Sequence, residues 1–327
     1  MENISVNNLT DSTNSSLPRN IKVALAKEVL TQEKNIEIAK EKFAEIVKDL
    51  EQKKQKEVVN ATGTVLHTNL GRSPNNISFS GRYTNVEYDL KNFKRGVRNE
   101  YLSSSLSSFL GCEEVTFVNN NASSLYLSLR AMAKSYEFKN VIISRGEIIE
   151  IGGSYRLPEI IQETGLQMIE VGTTNKTNLN DYTKALKDFP NSIILKVHRS
   201  NYSISGFTEE VSIKELSEIK ENYETVLIHD LGSGLVVDRK FLEINHIDIF
   251  NNETSVQNSL DDGSDLVMFS GDKLFGSVQS GIIAGKSRLI VNIKNYSLFR
   301  TYRCSPLTLF ELQKTATSYI NKDELNI

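Results

Sequence analysis

From about residue 58 onward the chain alternates short β-branched runs with helical segments, and this alternation limits the possible folds more than any other feature. The runs fall at 115–118, 141–143, 168–171, 193–197, 226–228, 266–269 and 281–284, with helical patterns around 122–134, 155–164, 179–187 and 212–222. A near-continuous apolar run suits a strand buried on both faces, and strands separated by helices pair in parallel. The pattern predicts an α/β domain built on a mostly parallel, doubly wound sheet of six or seven strands. Ligands of such sheets sit beyond the carboxyl ends of the strands. Asn119, Asp230 and Lys273 all fall there.

The first 57 residues read differently. Residues 1–18 are rich in Asn, Ser and Thr and predict a disordered tail. Residues 19–57 predict a helical arm, with Ile36, Ala39, Phe43, Ile46 and Leu50 at spacings of three and four. Residues 1–57 carry ten acidic and ten basic side chains, so a packing or dimerisation helix fits better than a tRNA-binding element. The net charge of −3 over 327 residues gives no general attraction to nucleic acid, so an RNA partner would need a local patch. Cys112 and Cys304 are far apart and the four histidines fall in no ligand motif, which argues against a disulfide framework and a metal site. No apolar stretch approaches the ~20 residues that span a bilayer, and the N-terminus lacks a basic region followed by an apolar one. A cytoplasmic chain with no membrane partner is expected.

Two strand ends carry the chemistry. The run 265–269 closes in Ser270-Gly-Asp-Lys273, and the run 225–230 ends in Asp230 before Leu-Gly-Ser-Gly. An aspartate and a later lysine at strand ends are what a pyridoxal-phosphate enzyme of the aminotransferase type needs. The carboxylate keeps the pyridine nitrogen protonated, and the lysine forms the Schiff base and then moves protons. Asn119, Asn120 and Asn121, with Ser123 and Ser124, follow a strand and open a helix. They suit either a phosphate or N-capping by Asn121 or Ser123. No G-x-G-x-x-G follows any strand, against a dinucleotide cofactor.

Other candidates have two readings each. Residues 60–72 form a polar, turn-rich segment in which Arg72 is an anion clamp or a solvated arginine. Arg300 and Arg303 share a face if helical and bind a dianion, or stand on an exposed surface. His198 ends a strand and orients substrate, covers a cofactor ring, or is a satisfied half-buried histidine. Gly152 and Gly153 give backbone freedom beyond the 141–143 strand. Glu150 contacts cofactor or substrate, or pairs with Arg145 or Arg156.

Read in order, these segments resemble bacterial selenocysteine synthase, also called L-seryl-tRNA(Sec) selenium transferase, from about Val58 to about Leu312. The likeness is carried by NATGTVLHTNLGR (60–72), EYDLKNFKRGVR (87–98), NNNA (119–122), SRGEIIEIGGSYRLP (144–158), EVGTTNKT (170–177), KVHRSNYSISGFTEEVS (196–212), HDLGSG (229–234) and SGDKLFG (270–276).

The resemblance implies an aminotransferase-like (fold type I) large domain over 58–297 that binds pyridoxal 5'-phosphate. An N-terminal helical arm would precede it, and the start of a truncated C-terminal small domain would follow over 298–327. The implied reaction converts seryl-tRNA(Sec) to selenocysteinyl-tRNA(Sec) with selenophosphate, through a dehydroalanyl intermediate. By position, Lys273 would be the Schiff-base lysine with Asp272 beside it, and Asp230 the partner of the pyridine nitrogen. Asn119, Asn120, Asn121 and Gln279 would lie near the cofactor phosphate, and Arg72, Arg300 and Arg303 would bind the donor's phosphate. The family assembles as dimers grouped in a larger ring. Tyr101, Ser103 and Ser104 stand where the family has a His and two glutamates, Gly276-Ser-Val-Gln279 replaces Gly-Gly-Pro-Gln, and Ser305-Pro306 replaces Asp-Lys. The apparent lack of a C-terminal region and of part of the N-terminal domain leaves two alternatives, a lyase acting on a small amino acid or amino-sugar acid and an inactive truncated homologue.

Overall fold

The computed structural model describes residues 5–55, 57–74, 83–151, 155–200, 202–237 and 253–321. Gly152 and Gly153 lie outside these residues, as do 1–4 and 322–327 of the predicted tail and C-terminal segment. The chain divides into two compact units, Met1–Ala61 and Thr62–Ile327.

The first unit holds three helices, Val6–Asp11, Arg19–Gln32 and Ile36–Gln52. The expectation of disorder through residue 18 fails for the described part. Ser5 caps the first helix, accepting a hydrogen bond from the Asn8 N–H at 3.1 Å, and Leu9 and Leu17 are buried with Ala26, Val29, Ala39, Phe43 and Val47. Two apolar anchors suffice to order a polar segment when neighbouring helices offer a surface to bury them. The buried stripe of the third helix is Ala39, Phe43 and Val47, one turn apart, while Ile46 is exposed.

The second unit is built on a seven-stranded sheet: β1 (Glu114–Val118), β2 (Asn140–Ser144), β3 (Gln167–Val171), β4 (Ser192–Val197), β5 (Val226–Gly232), β6 (Leu266–Ser270) and β7 (Gly281–Gly285). The spatial order is β1-β7-β6-β5-β4-β2-β3. All neighbours are parallel except β7, which runs antiparallel to both β6 and β1. The reversal follows from chain length, because residues 271–280 are too few for the dozen or so that a parallel crossover needs. The chain must turn back, and that tight turn carries Lys273.

Side-chain parity divides the core. Ile193, Leu195 and Val197 of β4, Val226 and Ile228 of β5, and Leu266 and Met268 of β6 face one way, against the helices Asn121–Tyr136, Leu157–Glu163 and Ser287–Asn295. Leu231, Val267, Phe269 and Ile282 face the other way, against the helices Glu100–Leu110 and Pro306–Asn321. Towards the β3 edge that second face is covered by Leu179–Asp188 and Ile213–Lys220. Among the described residues no helix is long and apolar enough to cross a membrane.

Candidate active site

The parity of β5 decides which way Asp230 points. It shares the face of Val226 and Ile228, the face covered by the helix Asn121–Tyr136, so the first residue of that helix can reach it. Asn121 Nδ2 donates to Asp230 Oδ1 at 2.6 Å, and the Gly232 N–H donates to the same oxygen at 3.1 Å. Asp230 is buried, and burial pushes its carboxyl up to about 6 from 3.8, against the opposing pull of the Asn121 bond, the Lys273 ammonium and the Gly232 N–H. His229 points to the opposite face, where its Nδ1 lies 2.7 Å from Ser259 Oγ.

Lys273 sits in the turn between β6 and β7. Phe275, two residues on, anchors the turn by stacking on Tyr319 at 5.5 Å and meeting Phe269 edge-on at 5.9 Å. Backbone bonds from the Leu274 N–H to the Ser233 carbonyl (3.0 Å) and from the Gly276 N–H to the Lys273 carbonyl (2.9 Å) fix its path. The ammonium is half-buried and makes no hydrogen bond among the described residues. Burial lowers its pKa, the Arg72 charge lowers it further, and Asp230, Asp272 and Glu253 oppose this. Gly232 has a positive φ of 63°, and a Cβ there would lie 3.9 Å from Lys273 Nζ. Asp272 is buried and paired with Arg72 at 2.9 Å, and its carbonyl accepts from the Ser73 N–H at 3.1 Å.

His198 follows β4, and its N–H donates to the Asp230 carbonyl at 2.9 Å. Its Nε2 lies 3.1 Å from Glu253 Oε2, which also accepts from Ser233 Oγ at 2.8 Å. Glu253 belongs to no motif, and only the neighbouring Ser233 of HDLGSG gave any hint of it. Asp230, Lys273, Asn121, His198, Asp272 and Arg72 therefore gather at the carboxyl ends of β4, β5 and β6.

The remaining candidates lie elsewhere. Asn120, not Asn121 or Ser123, is the N-cap: its Oδ1 accepts from the Ser123 N–H at 2.9 Å. Its extended backbone frees the side chain to reach back to the first turn, whereas Asn121 is already helical. Asn119 is exposed, with its N–H on the Tyr302 carbonyl at 2.9 Å, and Gln279 is exposed. Glu150 pairs with Arg156 at 2.8 Å, the local pairing that its sequence context allowed. Arg300 lies in a 3₁₀ helix, Ser297–Tyr302, and Arg303 just beyond its end. Both line a cavity of about 690 Å³ with Glu87, Arg98, Ser103 and Cys304, and neither Lys273 nor Asp230 lines it. Glu87 accepts from Arg303 at 2.9 Å and from Arg98 at 3.0 Å. Sequence reasoning passed over Glu87, although it opens a quoted motif.

Residues 58–326 match the family described as SelA: L-seryl-tRNA selenium transferase. The chain belongs to this family. It is 43% identical over 286 residues to the L-seryl-tRNA(Sec) selenium transferase of Aliarcobacter butzleri, covering 85% of this chain and 61% of that protein. The namesake of Campylobacter fetus is 39% identical over 314 residues, covering 93% of this chain and 69% of that protein. The chain thus spans about two thirds of the length of these relatives. Among solved structures, a D-glucosaminate-6-phosphate ammonia-lyase superposes with a TM-score of 0.55 at 17% identity, over 68% of this chain and 57% of the other. A cystathionine gamma synthase from Xanthomonas oryzae superposes with a TM-score of 0.51 at 16% identity, over 76% of this chain and 59% of the other. These two establish the fold alone.

The cofactor that the family implies is pyridoxal 5'-phosphate, and the residues present fit it. Asp230 offers an oxygen with no hydrogen bond among the described residues, opposite a half-buried lysine amine that likewise has none. Asn121 Oδ1 is buried without a partner. Unspent polar groups converging on one place at strand ends are what a bound polar ring would satisfy.

Proposed function

We propose that this chain converts seryl-tRNA(Sec) to selenocysteinyl-tRNA(Sec) with selenophosphate as donor. The observation that carries the reading is the buried Asp230 and the half-buried Lys273 brought together at the carboxyl ends of β5 and β6, in a chain of this family. When bound, pyridoxal phosphate supplies an electron sink for charge developing at the serine Cα.

The protein's own residues do the rest. Asp230 would hold a proton on the ring nitrogen through its free oxygen. Lys273 would hold the cofactor through its aldehyde, and when that amine is free its lowered pKa would raise the neutral fraction able to take a proton from Cα. His198, fixed by Glu253, would border the ring. The free N–H groups at the start of the helix Asn121–Tyr136 would receive the phosphate, a role that the family resemblance extends to Asn119, Asn120 and Gln279. Arg72 adjoins Lys273, tethered by Asp272, and is suited to the donor's anion. Arg300 and Arg303 supply further positive charge from their own cavity. Exposed Phe93, Val97 and Tyr101 support a homo-oligomer.

The test is reconstitution with pyridoxal 5'-phosphate. The loaded chain should absorb near the visible range, lose that band in Lys273→Ala, and form selenocysteinyl-tRNA only when selenophosphate is supplied. Turnover of free amino acids without tRNA would replace this reading with that of a lyase.

A further inference from the structure

We propose that Asn121 is a positioning residue that acts through Asp230, holding one carboxylate oxygen so that the other meets the ring nitrogen of the cofactor. The proposal rests on the cofactor reading above. It differs from the phosphate contact that position in the motif implies for Asn121.

The geometry is specific. Asn121 Nδ2 and the Gly232 N–H converge on the same oxygen, Asp230 Oδ1, at 2.6 and 3.1 Å. A carboxylate held by two donors on one oxygen has little rotational freedom, and Oδ2 is left for a cationic N–H. An ionised carboxylate only accepts hydrogen bonds, so it obliges Asn121 to turn its NH₂ group inward. The amide oxygen is then stranded, buried and unpartnered, as the structure shows. A side chain placed only to serve a phosphate would not direct one of its two amide N–H groups at Asp230, as Asn121 does.

The surroundings agree. Lys273 and His198 also favour the ionised carboxylate, and burial opposes it. The Tyr155 phenol, pushed up by burial, has its proton held more tightly still by the Asp230 charge. Among the influences that keep Asp230 ionised, the Asn121 bond is the largest. Removing it would favour a neutral carboxyl, which has no charge to offer a pyridinium.

The test compares two ligands, pyridoxal 5'-phosphate and its 1-deaza analogue, in which C–H replaces the ring nitrogen. Both carry the same phosphate and aldehyde. Dissociation constants are measured by equilibrium dialysis for the unsubstituted chain, Asn121→Leu and Asn121→Ala. The expected result is about tenfold or greater weakening for pyridoxal phosphate, with the analogue's affinity changed less than about twofold. Equal weakening of both ligands would assign Asn121 to the phosphate or to folding and overturn the proposal, as would no weakening of either. Retained binding of the analogue shows that a variant has folded. An unsubstituted chain that binds neither ligand would sink the cofactor reading itself, a result distinct from the other two.

Discussion

Replacing Asp230 with asparagine should make the cofactor-free protein more stable while weakening cofactor binding. Burial holds the Asp230 carboxyl at about 6, against 3.8 in the unfolded chain. Below about pH 4 the group is protonated in both states and does not affect the folding equilibrium. Between about pH 4 and 6 the unfolded chain releases its proton while the folded chain keeps it, and stability falls by about 1.4 kcal/mol per pH unit. Above about pH 6 both states are ionised and the full penalty of about 3 kcal/mol stands. Asp230→Asn is nearly isosteric, and the new amide oxygen can still accept from Asn121 and the Gly232 N–H. The variant therefore lacks the penalty. Thermal melts of both cofactor-free proteins, followed by circular dichroism from pH 4.5 to 8, should nearly coincide at the acid end. By pH 8 the variant should melt roughly 5 °C higher. Parallel curves across that range, or a less stable variant at pH 8, would refute the idea that Asp230 is a costly buried charge kept for binding.

Two further outcomes follow from the same site. A Cβ at Gly281 would lie 2.2 Å from both the Asn120 carbonyl oxygen and Ser124 Oγ, so Gly281→Ala must displace the helix start that carries Asn121. It should fold at a loss of about 1–3 kcal/mol and bind pyridoxal phosphate several-fold more weakly, and unchanged affinity in dialysis would contradict the argument. Arg72→Gln removes a positive charge beside Lys273, which favours the ammonium and raises its pKa. Cofactor capture, trapped with borohydride at a series of pH values, should shift to higher pH, and an unmoved profile would show that Arg72 does not tune the lysine.

Much of the fold was legible because burial on both faces leaves few ways to write a strand. The runs at 193–197 and 266–269 and the helix over 122–134 each match observed elements to within a few residues. The antiparallel course of β7 was not read, although the shortness of 271–280 encodes it. The placement of Lys273 and Asp230 at strand ends was legible because the apolar runs before them mark where those strands stop. Glu253 was not, because its role arises from contact with His198 and Ser233 and from no local pattern. The polar N-terminal segment misled for the opposite reason: its composition is that of a disordered tail, and Leu9 and Leu17 gain their burial only from neighbouring helices.

The sequence by itself determined the alternation of elements and the family, and it pointed to the two residues proposed to carry the chemistry, since these are local in the chain or set by residue type. Only the tertiary structure decided that Asn121 serves Asp230, that Arg72 is tethered by Asp272, and that Arg300 and Arg303 line a separate cavity with Glu87. Those facts join residues far apart in the chain, and their partners are chosen by side-chain parity and by the path of short connections. Neither can be read from spacing until the strands have been put in order.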